Sequence, residues 1–493
     1  MNEKDILKAL GGVDPDYIAD AAPKEKTRRK IPLKIRIIAA VICVSLLTSA
    51  IIAAFIIPKI IEKNSGAILP DGQYNKYVLA VAKYPKFLAL APNIDNYSDT
   101  QSYLNAYADW KRSVKNATVL ETDTDNLDYF FEMSAKELLI SDSNENAIYS
   151  PLSIYVTLSM LCEVTEGETR AQILELLNVD NIETLRKQAC AVLKHSYIDD
   201  GANKSILANS LWFPDELSAN TQTINMLSEK YYASSYKGDF KDNEFVAEYC
   251  KWINEKTGNL FGASPDLLPM DDEAAISIVS ALDFYANWER LSQFRLKKVE
   301  EGVFHTKSGD VGAEFMVHNG ERYMFGTEKF YAVNIPLQTG GVMWFVLPLE
   351  NSSTNEVISD ESFMKFLTGN AELESKKYQM TLSIPKFDVK SEKNIDEELK
   401  NLGVKNAFEE MKADFSAISD NELYLDNVTH GARVKIDEKG IVGGAYVQAP
   451  AAFAASLPDG QKIELTLDRP FIFAVTTHEN LPLFVGVVND PTK

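Results

Sequence analysis

Hydrophobic and polar positions change their period along this chain. From Ile37 to Ile57 the run IIAAVICVSLLTSAIIAAFII carries no charge, and Ser45, Thr48 and Ser49 are its polar side chains. At a helical rise of about 1.5 Å per residue it covers roughly 30 Å, the thickness of a bilayer's hydrocarbon core. Buried core helices seldom run so long without a charge, and the apolar region of a signal peptide is shorter, about 7–15 residues. The pattern predicts one uncleaved transmembrane helix over 37–57.

Beyond it, helical period marks Asn126–Leu139, Ser153–Leu161 and Glu168–Leu177. Strand-like runs follow at Ser277–Asp283, Ala332–Pro336, Gly341–Leu347, Gln379–Pro385, Lys462–Leu467 and Phe471–Thr477. Helices early and strands late predict an α+β fold with antiparallel or mixed sheets, not a doubly wound one. Residues 58–117 hold the turn-prone Pro70-Asp71-Gly72 and an aromatic-rich stretch from Tyr77 to Trp110 at mixed spacing. They are expected to form a partly helical juxtamembrane spacer. The expected organisation is thus 1–36 cytoplasmic, 37–57 spanning, 58–117 spacer and 118–493 one continuous domain.

Charge sets the orientation. Lys24, Lys26, Arg28, Arg29, Lys30, Lys34 and Arg36 stand against Glu25 just before the apolar run. Positive flanks stay inside, so the chain is expected in the cell membrane, single-pass, with residues 58–493 extracytoplasmic. The whole chain carries −21, which excludes a nucleic-acid binder that relies on a basic footprint and otherwise names no partner. Of its four cysteines, Cys162, Cys190 and Cys250 lie in the outer part, enough for one internal disulfide and no framework. That usage suits a bacterial surface better than an animal secretory route.

Catalytic patterns are sparse. H-E-x-x-H, a Walker loop, G-x-G-x-x-G and G-x-S-x-G are absent, and the histidines at 195, 305, 318, 430 and 478 lack metal-ligand spacing. No metal, cofactor or catalytic residue is expected. A membrane-anchored outer domain of this size could still be a penicillin-binding enzyme. Its S-x-x-K pattern occurs at Ser234–Lys237, Ser362–Lys365 and Ser383–Lys386, three unrelated contexts, the last inside an expected strand. That class stays a remote rival, to be tested by β-lactam labelling.

Other motifs are more specific. Asn146-Ala147-Ile148-Tyr149-Ser150-Pro151-Leu152-Ser153-Ile154 is followed by Gly167-Glu168-Thr169, Trp252-Ile253-Asn254 with Gly258-Asn259, and Phe284-Tyr285-Ala286-Asn287-Trp288. Pro385-Lys386-Phe387, Leu402-Gly403, Ala407-Phe408 and Ala413-Asp414-Phe415-Ser416 come next. Val428-Thr429-His430, Asp437-Glu438-Lys439-Gly440, Asp468-Arg469-Pro470-Phe471 and Pro482-Leu483-Phe484-Val485-Gly486 complete the order. In this order, over roughly residues 118–493, the sequence resembles the serpin family of serine protease inhibitors.

The resemblance implies that Asn146, Ser150, Ser153 and His430 form a hydrogen-bonded cluster beneath a central sheet whose strands can part. Trp288 would cap the region where parting begins. A polar cluster can re-pair when strands slide, whereas an apolar plug would have to open a void. Three positions depart from the family pattern: Ser280 stands where Asn is usual, and Val164-Thr165 where Gly-Ala is usual.

Between Gly440 and Pro470 the chain matches the family's exposed reactive loop, and residues 441–456 carry no charge. In strand geometry Ile441, Gly443, Ala445, Val447 and Ala449 share one apolar, mostly small face, as a strand entering a packed sheet requires. Glu438 and Gly440 open this hinge. An inert Ala/Gly linker is the plain alternative. Ile441, Tyr446 and Pro450 depart from inhibitory members, and Pro450 would delete one ladder hydrogen bond. The family's hinge offset from Glu438 puts the reactive bond at Ala454–Ala455, with Phe453 or Ser456 as alternates. Small residues there imply an elastase-like or subtilisin-like target, and the lack of Lys or Arg between Gly440 and Lys462 disfavours trypsin-like ones. The expected function is a monomeric suicide-substrate inhibitor held to its target protease by a covalent acyl bond. The nearest rival is a non-inhibitory member acting as a binding or chaperone module.

Overall fold

Val78–Ala80 (β1) and the helix Thr100–Ala117 (α1) precede Leu127–Leu139 (α2), Ala147–Tyr149 (β2), Pro151–Val164 (α3), Gly167–Leu176 (α4) and Ile182–Ser196 (α5). The middle of the chain alternates Lys204–Pro214 (β3), Thr221–Lys230 (α6), Ala233–Gly238 (β4), Asn243–Lys256 (α7) and Ser277–Asn287 (β5). Lys298–Thr306 (β6), Gly309–Gly326 (β7), Phe330–Pro336 (β8) and Val342–Pro348 (β9) then run on without a helix. Two short helices, Thr354–Ile358 (α8) and Glu361–Leu367 (α9), lead to Glu374–Pro385 (β10), Phe387–Asn394 (β11) and Asp396–Asn401 (α10). Thr429–Ile436 (β12), Gly440–Val442 (β13), Lys462–Thr466 (β14), Phe471–Thr476 (β15) and Pro482–Val488 (β16) close the chain.

The computed structural model describes residues 67–68, 74–85, 91–92, 96–117, 124, 126–259, 262–264, 276–288, 298–371, 373–425, 428–442 and 461–493. All of them belong to one unit, Gly66–Lys493. The expected membrane span 37–57 lies outside the described residues, and among those described no helix is long and apolar enough to cross a membrane.

Two sheets sandwich α3. The central sheet runs β11-β12-β13-β5-β3-β4-β1, antiparallel throughout except for the β3–β4 pair. The second runs β14-β10-β7-β8-β9-β15-β16-β2, with β6 on β7 and a parallel β10–β14 pair. The expected mixed α+β architecture is therefore present, and α2, α3, α4 and all six expected strands are in place.

Local sequence explains α3. The Ser150 side chain accepts from the Ser153 N–H at 3.3 Å, and Pro151 occupies the first helical position, where a missing N–H costs nothing. Every residue from Pro151 to Val164 is buried, so the helix is enclosed on all sides. Its one charge, Glu163, is met by Arg186 Nε at 2.7 Å and Nη2 at 2.6 Å, and by the Tyr231 hydroxyl at 2.8 Å. A buried carboxylate needs that bidentate pairing. Just beyond, Gly167 turns at φ +55°, and Thr169 Oγ1 accepts from the Asp414 N–H at 3.1 Å. Two motifs far apart in sequence thus meet.

Residues 74–85, expected in a spacer, lie instead against the central sheet. Val78 pairs with Tyr236 across β1 and β4, and Lys237 N–H donates to the Tyr77 carbonyl at 2.7 Å. Tyr77 Oη donates to Asp242 at 2.9 Å, and Lys76 pairs with Glu244 at 2.9 Å, tying this segment to the start of α7. Val78 is 1% exposed, so the short apolar run Tyr77–Val81 has found a sheet edge to cover.

Candidate functional site

The central sheet has a gap in its middle. Among the described residues β5 and β12 share no ladder of their own, and the three residues of β13 stand between them. Below β13 a cleft separates the two strands. It is lined by Ile278 and Ser280 of β5, Val428 and His430 at the start of β12, Ile154, Thr157 and Leu158 of α3, and Leu399 of α10.

Asp437-Glu438-Lys439-Gly440 forms the turn that sends the chain into this gap. Asp437 N–H donates to the Gly440 carbonyl at 3.0 Å, while the Asp437 carboxylate accepts from Lys439 N–H at 2.7 Å and Gly440 N–H at 3.3 Å. This is an Asx-type turn, which the D-x-K-G spacing supports. Ile441 pairs with Ile436 on one side and Ala286 on the other, and is 1% exposed.

Trp288 holds the turn from above. Its N–H donates to the Lys439 carbonyl at 3.0 Å and its indole Nε1 to the Asp437 carbonyl at 2.9 Å. Gln338 fixes Trp288 in turn: its N–H donates to Asn287 O at 2.9 Å and its Nε2 to Trp288 O at 3.2 Å. Glu438 pairs with Lys386 at 2.6 Å, and Lys386 also reaches Glu314 at 3.3 Å. Partial burial opposes ionisation of Glu438, yet the Lys386 ammonium and a backbone N–H hold its carboxyl below the usual range. Gln338, Lys386 and Asp437 were not among the expected site residues. Pro385-Lys386-Phe387 was visible as a motif, but its partner Glu438 is fixed only by the fold.

At the foot of the gap, His430 Nε2 accepts from the Ser150 N–H at 3.0 Å, and Ser150 caps the helix through Ser153. Burial, and then the Lys393 ammonium, push the His430 pKa down to about 4, so the ring is neutral and can accept. Ser280 lines the same cleft with its buried Oγ unpaired. Asn146 is not part of this cluster. Its Oδ1 accepts from the N–H groups of Asn489 at 2.7 Å and Asp490 at 2.9 Å, and its Nδ2 donates to Asp490 O at 2.7 Å. The reason is position: Asn146 precedes β2, whose ladder partner β16 runs directly into Asn489. Gly443, Ala445, Val447 and the reactive-bond candidates Phe453, Ala454, Ala455 and Ser456 lie outside the described residues.

The penicillin-binding patterns are dispersed. Ser234 is in β4 and accepts from Ala82 N–H, Ser362 opens α9 and donates to Asp360, and Ser383 is a ladder residue of β10. S-D-N also occurs, at Ser419-Asp420-Asn421, where the Ser hydroxyl donates to its own Asn421. K-T-G occurs at Lys256-Thr257-Gly258, where Thr257 ends α7 and donates its hydroxyl to Ile253 O. Each pattern serves its own helix end, turn or strand. Among the described residues no group of three or more His, Cys, Asp or Glu could hold a metal ion. Cys162, Cys190 and Cys250 are free thiols, and burial pushes Cys162 up to about 12, away from reactivity.

A family model described as serpin (serine protease inhibitor) matches residues 127–491. Serpin-ZX of Arabidopsis thaliana is 26% identical over 381 residues, covering 72% of this chain and 95% of that protein. Leukocyte elastase inhibitor A of Mus musculus is 26% identical over 376 residues, covering 71% and 94%. Among solved structures, the thermophilic serpin tengpin in its native state is similar with a TM-score of 0.65 and 29% identity, over 76% of this chain and 96% of that one.

Proposed function

Because the chain belongs to the serpin family, we propose that it is a suicide-substrate inhibitor of serine proteases, elastase-like or subtilisin-like in target, displayed outside a bacterial membrane by residues 37–57. The family's model describes a serine protease inhibitor rather than an enzyme. The observation that carries the finer reading is the hairpin Ile436–Ile441, which directs the root of the uncharged segment between β5 and β12.

In this reading a protease attacks the bond Ala454–Ala455 and forms an acyl-enzyme with Ala454. The freed segment continues from Val442 into the gap, with Gly443, Ala445, Val447 and Ala449 on the face that Ile441 begins. Each ladder hydrogen bond formed stabilises the cut state by a net amount of about 1 kcal/mol, and apolar burial adds to it. Ser150, Ser153 and His430 re-pair as β12 shifts, and Trp288 holds the entrance. The protease travels with Ala454 before water completes deacylation. This chain supplies the substrate bond and the strand, and the protease supplies all the catalytic groups.

Incubating the full chain with pancreatic elastase tests the proposal. The expected products are an SDS-stable covalent complex and a released peptide starting at Ala455 and ending at Lys493. A start at Ala454 would move the target to chymotrypsin-like enzymes. Complete cleavage without complex would place the chain with the non-inhibitory members, and a first cut outside 450–462 would overturn the loop assignment.

A further inference from the structure

Thr477 and His478 open the turn after β15, and their side chains face the end of α5. His195 Nε2 and Thr477 Oγ1 lie 2.8 Å apart, and the His195 and His478 ring centroids are 4.5 Å apart. The same Thr477 oxygen accepts from the Leu481 N–H at 3.1 Å, which closes the turn toward β16. Ser205 of β3 pairs with Phe284 of β5 in the central sheet, just below. Between these groups lies a small cavity of about 10 Å³, to which Ser196, Ser205, Phe284, Thr339, Thr477 and His478 all contribute.

The lining carries more polar atoms than the protein satisfies. Ser196 and Ser205 are 2% and 1% exposed. Ser196 Oγ, Ser205 Oγ and His478 Nε2 are buried, and among the described residues none of the three atoms has a hydrogen-bond partner. Glu479 Oε1 stands 3.6 Å from His478 Nε2, too far for a hydrogen bond. Burial, and then the Lys115 ammonium, push His478 down to about 4, so its ring is neutral at pH 7. Unpaired buried polar atoms are destabilising, and native folds carry few of them. Three around one cavity call for a common partner.

We infer that the cavity holds one ordered water, shared by Ser196, Ser205 and His478. The volume suits a single molecule: a buried water needs roughly 10–15 Å³ and two to four polar partners. Water donates twice and accepts twice, so it matches two hydroxyls and a neutral imidazole in either tautomer. An ion would require partners of one polarity and a compensating charge. The water joins β3 to α5 and to the turn after β15. It sits beside Thr339, the neighbour of the Gln338 amide that fixes Trp288.

Substitutions in the full chain test this by their sign. Ser196→Ala and Ser205→Ala each take one hydroxyl away from the water. A bridged hydroxyl stabilises the fold, so each variant should lower the folding equilibrium constant about fivefold. An unpaired hydroxyl acts the other way, because its removal relieves a desolvation penalty. The double variant should lose less than the sum of the two, since both hydroxyls share one partner. A crystal structure of the full chain should show a solvent peak about 2.7–3.2 Å from at least two of the three atoms. A cavity without such a peak overturns the inference. So does a Ser205→Ala protein as stable as the wild type or more so, or additive losses in the double variant.

Discussion

Gly440 passes so close to β5 that a β-carbon on it would stand 2.2 Å from the Ala286 carbonyl oxygen. Its φ is ordinary, so the demand is for space and not for a left-handed backbone. Any side chain here must push β13 out of the sheet. Gly440→Val is therefore expected to lower unfolding stability by about 1–3 kcal/mol, the usual cost of overpacking. It should also make residues 438–446 cleavable by proteases that spare the wild type. An unchanged melting temperature together with an unchanged digest would show that β13 does not occupy the gap.

In strand geometry Ala445 would share the face that Ile441 begins, four residues further along the chain. Ala445→Arg would bury an unpaired guanidinium if insertion proceeds, at a cost of several kcal/mol. The loop should still be cut by elastase while the covalent complex falls sharply, because deacylation then outruns insertion. Gel densitometry of complex against cleaved chain reads the partition. Equal complex yield from Ala445→Arg and wild type would sink the insertion mechanism.

His430 ties stability to pH. Its pKa is about 4 in the folded chain and about 6.5 when unfolded, so between these values the native state binds fewer protons than the unfolded one. Stability should fall as pH falls through that window, by about 1.4 kcal/mol for each pH unit from this group. His478, lowered to about 4 by burial and by Lys115, adds a parallel dependence. Thermal unfolding at pH 6.5, 6.0, 5.5 and 5.0 should show the decline, and His430→Gln should reduce its slope without removing it. A slope unaltered in His430→Gln would mean that His430 is not buried neutral.

The orientation argued from Lys24 to Arg36 has a direct readout. If residues 37–57 span the membrane with the basic flank inside, protease added to intact cells should remove residues beyond 57 and leave residues 1–36 protected. A large domain that survives in sealed cells and is lost only on lysis would overturn this orientation.

The sequence carried most of the frame and less of the site. Helical period over Ser153–Leu161 announces α3, while its Ser150 cap and Pro151 start emerge only in the structure, and β5, β9 and β15 are readable as apolar runs bounded by turns. Three-residue strands carry no period, so β1 and β13 left no such trace; both owe their pairing to distant partners, Tyr236 for Val78, and Ile436 and Ala286 for Ile441. Asn146 stood four residues from Ser150 in one motif, but β2 intervenes and the two side chains serve different neighbours. Ser280 shows the reverse case. Its departure from the family pattern was visible at once, and the structure gives it a physical meaning: a hydroxyl in the cleft with nothing to bond. Gln338 and Lys386 act through backbone carbonyls and a carboxylate that only the folded chain assembles.

The rims of the central sheet bear on how molecules of this chain meet each other. One rim ends in β1, three residues long and too brief to template a neighbour. The other ends in β11, whose outer half exposes Lys390, Glu392, Lys393 and Asn394. Charge and brevity are the two usual ways of discouraging a foreign strand. Visitors are thus turned away at both borders. Crowding should accordingly favour neither fibres nor stacked sheets so long as Trp288 keeps its hold on the entrance.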